Sequence, residues 1–172
     1  MSFLHFLTIP VLIVLIYFLW KLLRDEALFV PLPMNTVRKI LEYANPSEKD
    51  VLYDLGSGDG RVIIEASKKY GCRSVGVEKN RLLCWITQRK IKKEKLEEKI
   101  KIVNSDIFEC KIDDATIVIM YLSHRLTQEL KGKLKKELKK GTRIFSASHP
   151  IEGWKPVKKF KTGHFYTYEY VI

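Results

Sequence analysis

The chain has 172 residues, with 31 Lys and Arg against 20 Asp and Glu, a formal net charge of +11 and a mean hydropathy of −0.12. That length gives room for one domain of ordinary size and excludes two. Cys72, Cys84 and Cys110 lack C-x-x-C spacing, which gives no zinc site and no disulfide framework and fits a reducing compartment. The four histidines, His5, His124, His149 and His164, are equally dispersed, so no metal is expected.

Residues 3–20 carry no charge. As a helix these 18 residues would span about 27 Å, close to the roughly 30 Å of a bilayer core. A signal peptide fits less well, because residues 1–5 hold no Lys or Arg and residues 19–22 make a poor cleavage site. The expectation is an uncleaved transmembrane anchor over residues 1–24, with Pro10 as a kink point. Tyr17 and Trp20 would act as interfacial anchors, and Lys21 and Arg24 favour the cytoplasmic side for the rest, a single-pass membrane arrangement.

Residues 25–172 are expected to form the single folded domain. Pro31-Leu32-Pro33 cannot be helix interior, and Asn35 can cap a helix with Val37, Ile40, Leu41 and Ala44 on one face. Strands are expected at residues 51–55, 73–78, 100–103, 115–121 and 142–147. Helices are expected from about Arg61 to a stop at Gly71, from Asn80, and over about residues 125–139 before Gly141. Alternating strands and helices imply right-handed crossovers and a mostly parallel, Rossmann-like α/β sheet covered on both faces. At the end, residues 156–161 and 164–171 flank Thr162-Gly163, a hairpin signal that adds an antiparallel pair at one edge.

The basic excess lies in residues 89–101, 131–143 and 155–161. Leu130, Leu134 and Leu138 recur every fourth residue, so most of these lysines read as solvated faces of amphipathic helices. The remaining excess calls for an anionic partner, nucleic acid or lipid headgroups.

Val51-Leu52-Tyr53-Asp54-Leu55-Gly56-Ser57-Gly58-Asp59-Gly60 is the stretch that carries chemistry. A buried strand, a glycine-rich turn and a helix place backbone groups where a polar cofactor can approach closely. The glycines are spaced G-x-G-x-G rather than G-x-G-x-x-G, and Asp54 precedes them by two positions. A carboxylate there suits an ammonium or sulfonium group and suits a pyrophosphate badly. S-adenosylmethionine carries both cations and no phosphate. Glu78, at the end of the next strand, is placed to accept hydrogen bonds from ribose hydroxyls.

Asp54 to Gly60, Glu78 and Asn104-Ser105-Asp106 resemble the successive motifs of class I, seven-stranded S-adenosylmethionine-dependent methyltransferases. From Phe29 onward, Phe29-Val30-Pro31-Leu32-Pro33, residues 53–61, Gly141-Thr142-Arg143 and Gly153-Trp154 are similar to the small archaeal protein-lysine methyltransferases and to the membrane-anchored mitochondrial lysine methyltransferases. The resemblance implies that Asp54 and the backbone of Gly56, Ser57, Gly58 and Gly60 hold the methionine end and that Glu78 holds the ribose. It implies that Asp106, beside Ile107 and Phe108, reads the adenine, and that Phe29 and Pro31 form part of a lid. Tyr121, at the end of the fourth strand, is the candidate for lining the lysine channel, with Trp154 and His149 behind it.

The expected function is methyl transfer from S-adenosylmethionine to lysine side chains of proteins, membrane-associated ones above all. The alternative is an RNA methyltransferase that uses the basic surface. Enzymes acting on base amines commonly carry an Asn/Asp-Pro-Pro-aromatic motif after the fourth strand, and here that place holds Tyr121-Leu122-Ser123-His124.

Overall fold

The computed structural model describes residues 4–23 and 29–172, with side chains over residues 8–19 and 29–172. It divides into two compact units, Met1–Val30 and Pro31–Ile172.

In the first unit, helix α1 spans Leu4–Leu23 and contains Pro10. Its described side chains, residues 8–19, all face solvent, with Ile13 61% exposed and Phe18 48%. A helix that is apolar all round belongs in a hydrophobic surrounding. The expected transmembrane anchor is nevertheless not part of the described fold, since among the described residues no helix is long and apolar enough to cross a membrane. The side chains described in α1 account for about 18 Å of helix axis, short of a bilayer core. The side chains of Trp20 and Lys21, and all of Arg24, lie outside the described residues.

The second unit begins with α2 (Met34–Ala44) and alternates through β1 (Val51–Leu55), α3 (Arg61–Tyr70), β2 (Arg73–Glu78), α4 (Arg81–Lys93), β3 (Ile100–Asn104) and β4 (Ile117–Met120). It continues with α5 (His124–Glu129), α6 (Lys131–Glu137), β5 (Arg143–Ala147), β6 (Lys158–Thr162) and β7 (Phe165–Val171). The seven strands form one sheet in the order β3-β2-β1-β4-β5-β7-β6. The first five are parallel; β7 runs antiparallel to β5, and β6 antiparallel to β7. Chain progression reverses between β1 and β4, so a crevice opens beyond their carboxyl ends, where ligands bind in such sheets.

Continuous apolar sequence makes the central strands. Every residue of β1 and of β4 is buried, as strands covered on both faces must be. One face packs Leu52, Ile119 and Phe145 against Ile40 and Leu41 of α2 and Ile63 of α3. The opposite face packs Leu55, Val118, Met120 and Tyr170 against Leu130 and Leu134.

Three boundaries differ from the sequence reading. Helix α2 starts one residue before Asn35, because Pro33, with φ −57° and ψ 140°, occupies the cap position. Asn35 instead accepts from the Thr36 amide at 2.8 Å. The single helix expected over residues 125–139 is two, broken at Leu130. Leu130 is completely buried and anchors both pieces, while Gly132 weakens helical propensity just beyond it. Strand β4 stops at Met120, which leaves Tyr121 to open the following loop.

Candidate active site

The crevice is floored by the turn from β1 into α3. Gly56, Gly58 and Gly60 all have positive φ, +78°, +54° and +77°. A Cβ on Gly56 would sit 2.9 Å from Cδ2 of Leu122, and one on Gly60 would collide with the Thr87 side chain. Only a bare backbone passes there. Their N–H groups are bonded within the protein. The Gly56 amide donates to the Val77 carbonyl at 2.9 Å and the Gly60 amide to the Ser57 carbonyl at 2.9 Å. The Gly58 amide donates to Glu78 Oε2 at 2.9 Å. The glycines give the loop its shape and its open surface.

Helix α4 grips the turn from the other side. Thr87 Oγ1 donates to the Gly58 carbonyl at 3.2 Å, and Lys90 Nζ donates to Asp59 Oδ2 at 2.8 Å and to its carbonyl at 3.0 Å. Arg61 donates twice to the Asp59 carboxylate, at 2.8 and 2.9 Å, and once to the Leu32 carbonyl at 2.6 Å. Burial works to raise the Asp59 carboxyl, but the bonds from Arg61 and Lys90 override it and hold it at about 2.

Asp54 stands alone by contrast. It is 4% exposed, and among the described residues its carboxyl accepts no hydrogen bond. Burial, with smaller repulsion from Glu78 and Asp59, pushes it up to about 8. An isolated buried carboxyl of this kind is costly without a cation beside it. Ser57 Oγ is also buried and without a hydrogen-bond partner. The Asp54 carboxyl and the unpartnered Ser57 hydroxyl beside a bare turn suit the ammonium and sulfonium of S-adenosylmethionine, and the carboxyl does not suit a pyrophosphate.

Glu78 closes β2 with each carboxylate oxygen already engaged, Oε2 by Gly58 and Oε1 by the Asn80 amide at 2.9 Å. Each oxygen keeps a second lone pair for a ribose hydroxyl. Asp106 follows β3, and its Oδ1 accepts from the Phe108 amide at 2.9 Å, so it closes a turn. Its second carboxylate oxygen is outside that turn bond and could accept from an adenine amine. Ile107 is half-buried against the second core, and Phe108 is 39% exposed. Pro31 is exposed and Phe29 is 46% exposed.

Tyr121 and Trp154 are not brought together. Tyr121 continues the β4 alternation onto the face that packs α2 and α3, where its ring stacks on Phe165 at 5.5 Å and 15°. Trp154 packs into the opposite core, edge-on to Tyr170 at 6.0 Å. His149 stands edge-on to His124 at 5.7 Å. Burial, with His124 adding to it, lowers the His149 imidazole below its ordinary range. Sequence reasoning missed Lys90 and Thr87, which hold the turn, and the stacking of Phe165 on Tyr121. Only the adjacent Asp59 and Arg61 gave a signal, an acid and a base flanking the last glycine.

The sequence profile of the ANTKMT methyltransferase domain matches residues 54–158. A protein-lysine N-methyltransferase of Saccharolobus islandicus is 42% identical over 134 residues, 77% of this chain and 83% of that enzyme. The adenine nucleotide translocase lysine N-methyltransferase of Mus musculus is 30% identical over 107 residues, 62% of this chain but 46% of that enzyme, so the chain spans about half the length of this relative. Among solved structures, an RNA methyltransferase from Salinibacter ruber with bound S-adenosyl-L-homocysteine superposes with a TM-score of 0.81 and 34% identity. The match covers 83% of this chain and 94% of that one.

Proposed function

From a chain that belongs to the ANTKMT methyltransferase domain family and is an S-adenosylmethionine-dependent protein-lysine N-methyltransferase, we propose an enzyme that methylates lysines on membrane-associated proteins. The observation that carries the cofactor side of this reading is the unpartnered Asp54 at the end of β1.

The methyl donor supplies an electrophilic carbon on a cationic sulfur. Asp54 holds the positive methionine end, the bare turn of residues 56–60 lets it approach, and Glu78 and Asp106 accept from ribose and adenine. Tyr121 borders the acceptor amine. The acceptor amine would react as the free base, gaining the methyl carbon as that carbon's bond to sulfur is lost, with the amine proton released to solvent. Burial among apolar side chains lowers the amine's pKa from about 10.4, so positioning and water exclusion suffice without a dedicated base.

The membrane setting rests on the apolar row of α1, whose described residues from Ile9 to Leu19 are 48–61% exposed where large and apolar. Buried in lipid, that row loses its contact with water. The basic domain would then face the anionic cytoplasmic leaflet. Membranes carrying the protein, washed in alkaline carbonate, should retain it. Release into the wash would refute the anchor.

Methyl transfer to RNA is a second reading, favoured by the description of the Salinibacter structure and by the +11 charge. Radiolabelled S-adenosylmethionine incubated with a membrane extract and with total RNA separates the two. Label in protein lysines supports the first reading, and label confined to RNA overturns it.

A further inference from the structure

We infer that the acceptor lysine is held by a wall of two aromatic rings, Tyr121 and Phe165, and that the β6–β7 hairpin is therefore part of the substrate site. This rests on the protein-lysine reading above and adds the residue that would recognise the lysine stem.

Sheet geometry brings the two rings together. Because β7 runs antiparallel to β5, its first residue lies at the carboxyl ends of the parallel strands, the end that carries Asp54, Gly56 and Tyr121. Thr167 pairs with Ala147 in the ladder, and the Ser148 amide donates to the Tyr166 carbonyl at 2.9 Å, so Phe165 reaches just beyond β5. Ala147 is small enough to let the Phe165 ring cross to the strand beyond. It then stacks on Tyr121 with centroids 5.5 Å apart and planes 15° from parallel.

Tyr121 is in turn the neighbour of the cofactor loop. Met120 pairs with Leu55 as the last rung of the parallel ladder, so Tyr121 and Gly56 each leave the sheet one residue later, and a Cβ on Gly56 would meet Leu122, the residue after Tyr121. The hairpin turn is fixed on its far side by α2, where a Cβ on Gly163 would meet Thr36 Oγ1 at 3.1 Å. Thr162 and Thr167 share a buried 2.7 Å hydroxyl bond that pins the base of the turn.

Both residues are only partly buried, so part of the stack stays accessible. Such a surface takes an alkyl stem ending in an amine: methylenes lie against the rings, and the ammonium is attracted to a π face before it loses its proton. No carboxylate is needed there, and among the described residues none is in hydrogen-bond contact with either ring residue.

The test compares full-length wild type with Phe165→Leu and Phe165→Tyr. Methyl transfer to poly-L-lysine is measured with radiolabelled S-adenosylmethionine, and S-adenosylhomocysteine binding is followed by calorimetry. Phe165→Leu should raise the acceptor KM about tenfold, the scale of a lost cation–π and packing contact, and leave the S-adenosylhomocysteine Kd within about twofold. Phe165→Tyr, which keeps the ring, should stay near wild type. An unchanged acceptor KM in Phe165→Leu overturns the assignment, as does an equal loss of cofactor affinity. If wild type transfers methyl to RNA and not to any lysine acceptor, the protein-lysine reading falls first and takes this one with it.

Discussion

Arg61 donates to the Leu32 carbonyl at 2.6 Å while its other two nitrogens clamp Asp59. One side chain thus ties the entry to α2 to the turn that would carry the cofactor. Arg61 is the first residue of α3, immediately after Gly60, so the loop's own geometry aims it. Lys90 completes the network from α4, so the entry to α2, the turn and α4 are linked through Asp59 and Arg61.

Arg61→Met keeps the stem and removes the three bonds. Stability should fall by about 2 kcal/mol, the scale of a partly buried charged hydrogen bond. Amide exchange at Val37, whose N–H bonds to the Pro33 carbonyl at 3.0 Å, should speed up. Unchanged exchange there would mean that Leu32 is held by packing alone.

Asp54 and Asp59 should act on stability with opposite signs. The Asp54 carboxyl is raised in the folded chain, so its contribution is whole below pH 3.8 and is lost as pH rises through about 8. The Asp59 carboxyl is held at about 2, so its contribution is present above pH 3.8 and is lost as pH falls through 2. Asp54→Asn should therefore stabilise the free protein at pH 8 and change little at pH 4, with a limiting slope of about 1.4 kcal/mol per pH unit between. The same variant should lose S-adenosylhomocysteine binding. In wild type that affinity should climb from pH 6 to 8, because a cation needs the ionised carboxylate. Calorimetric titrations over this range decide it, and a flat profile would remove Asp54 from the binding role.

How much of this was legible follows from the range of each interaction. β1 and α3 show in the sequence within a residue, because a buried parallel strand is a continuous apolar run and Gly71, at φ +74°, ends the helix as glycine does. The hairpin shows because Gly163, at φ +68°, marks its turn. The wall opposite Tyr121 does not show. Trp154 and Phe165 are both aromatics near the C-terminus, and only strand pairing decides which reaches that face. The internal bonding of the glycine amides is equally hidden, since Val77 and Glu78 belong to the next strand. Helix α5 parts from α6 for a local reason that periodicity overlooks: the leucines keep their spacing across the break.

Gly60→Ala should be poorly tolerated. Its φ of +77° disfavours any Cβ, and the new methyl would meet Thr87 Cγ2 and Oγ1. A loss of about 2–3 kcal/mol is expected from strain and overpacking together. Adding Thr87→Ser removes the methyl but not the backbone strain, so thermal melting should show partial recovery. Full recovery would assign the whole effect to the clash.

Arg143 offers the sharpest test of how α2 is held to the sheet. Its Nη1 and Nη2 donate to the Ala44 and Tyr43 carbonyls at 2.6 and 3.0 Å, and its Nε donates to Glu169 Oε1 at 2.9 Å. The last carbonyls of a helix lack partners within it, and here a residue 99 positions away supplies them. Glu169 is only 7% exposed, so Arg143→Ala strands a buried charge as well as the helix end. Breaking such a pair from one side costs about 3–5 kcal/mol. Arg143→Ala with Glu169→Gln removes the stranded charge and should recover part of that loss, leaving the cost of the two helix carbonyls. Denaturant unfolding of the two variants measures the difference. If the double variant is no more stable than the single one, the arginine acts through the α2 carbonyls alone.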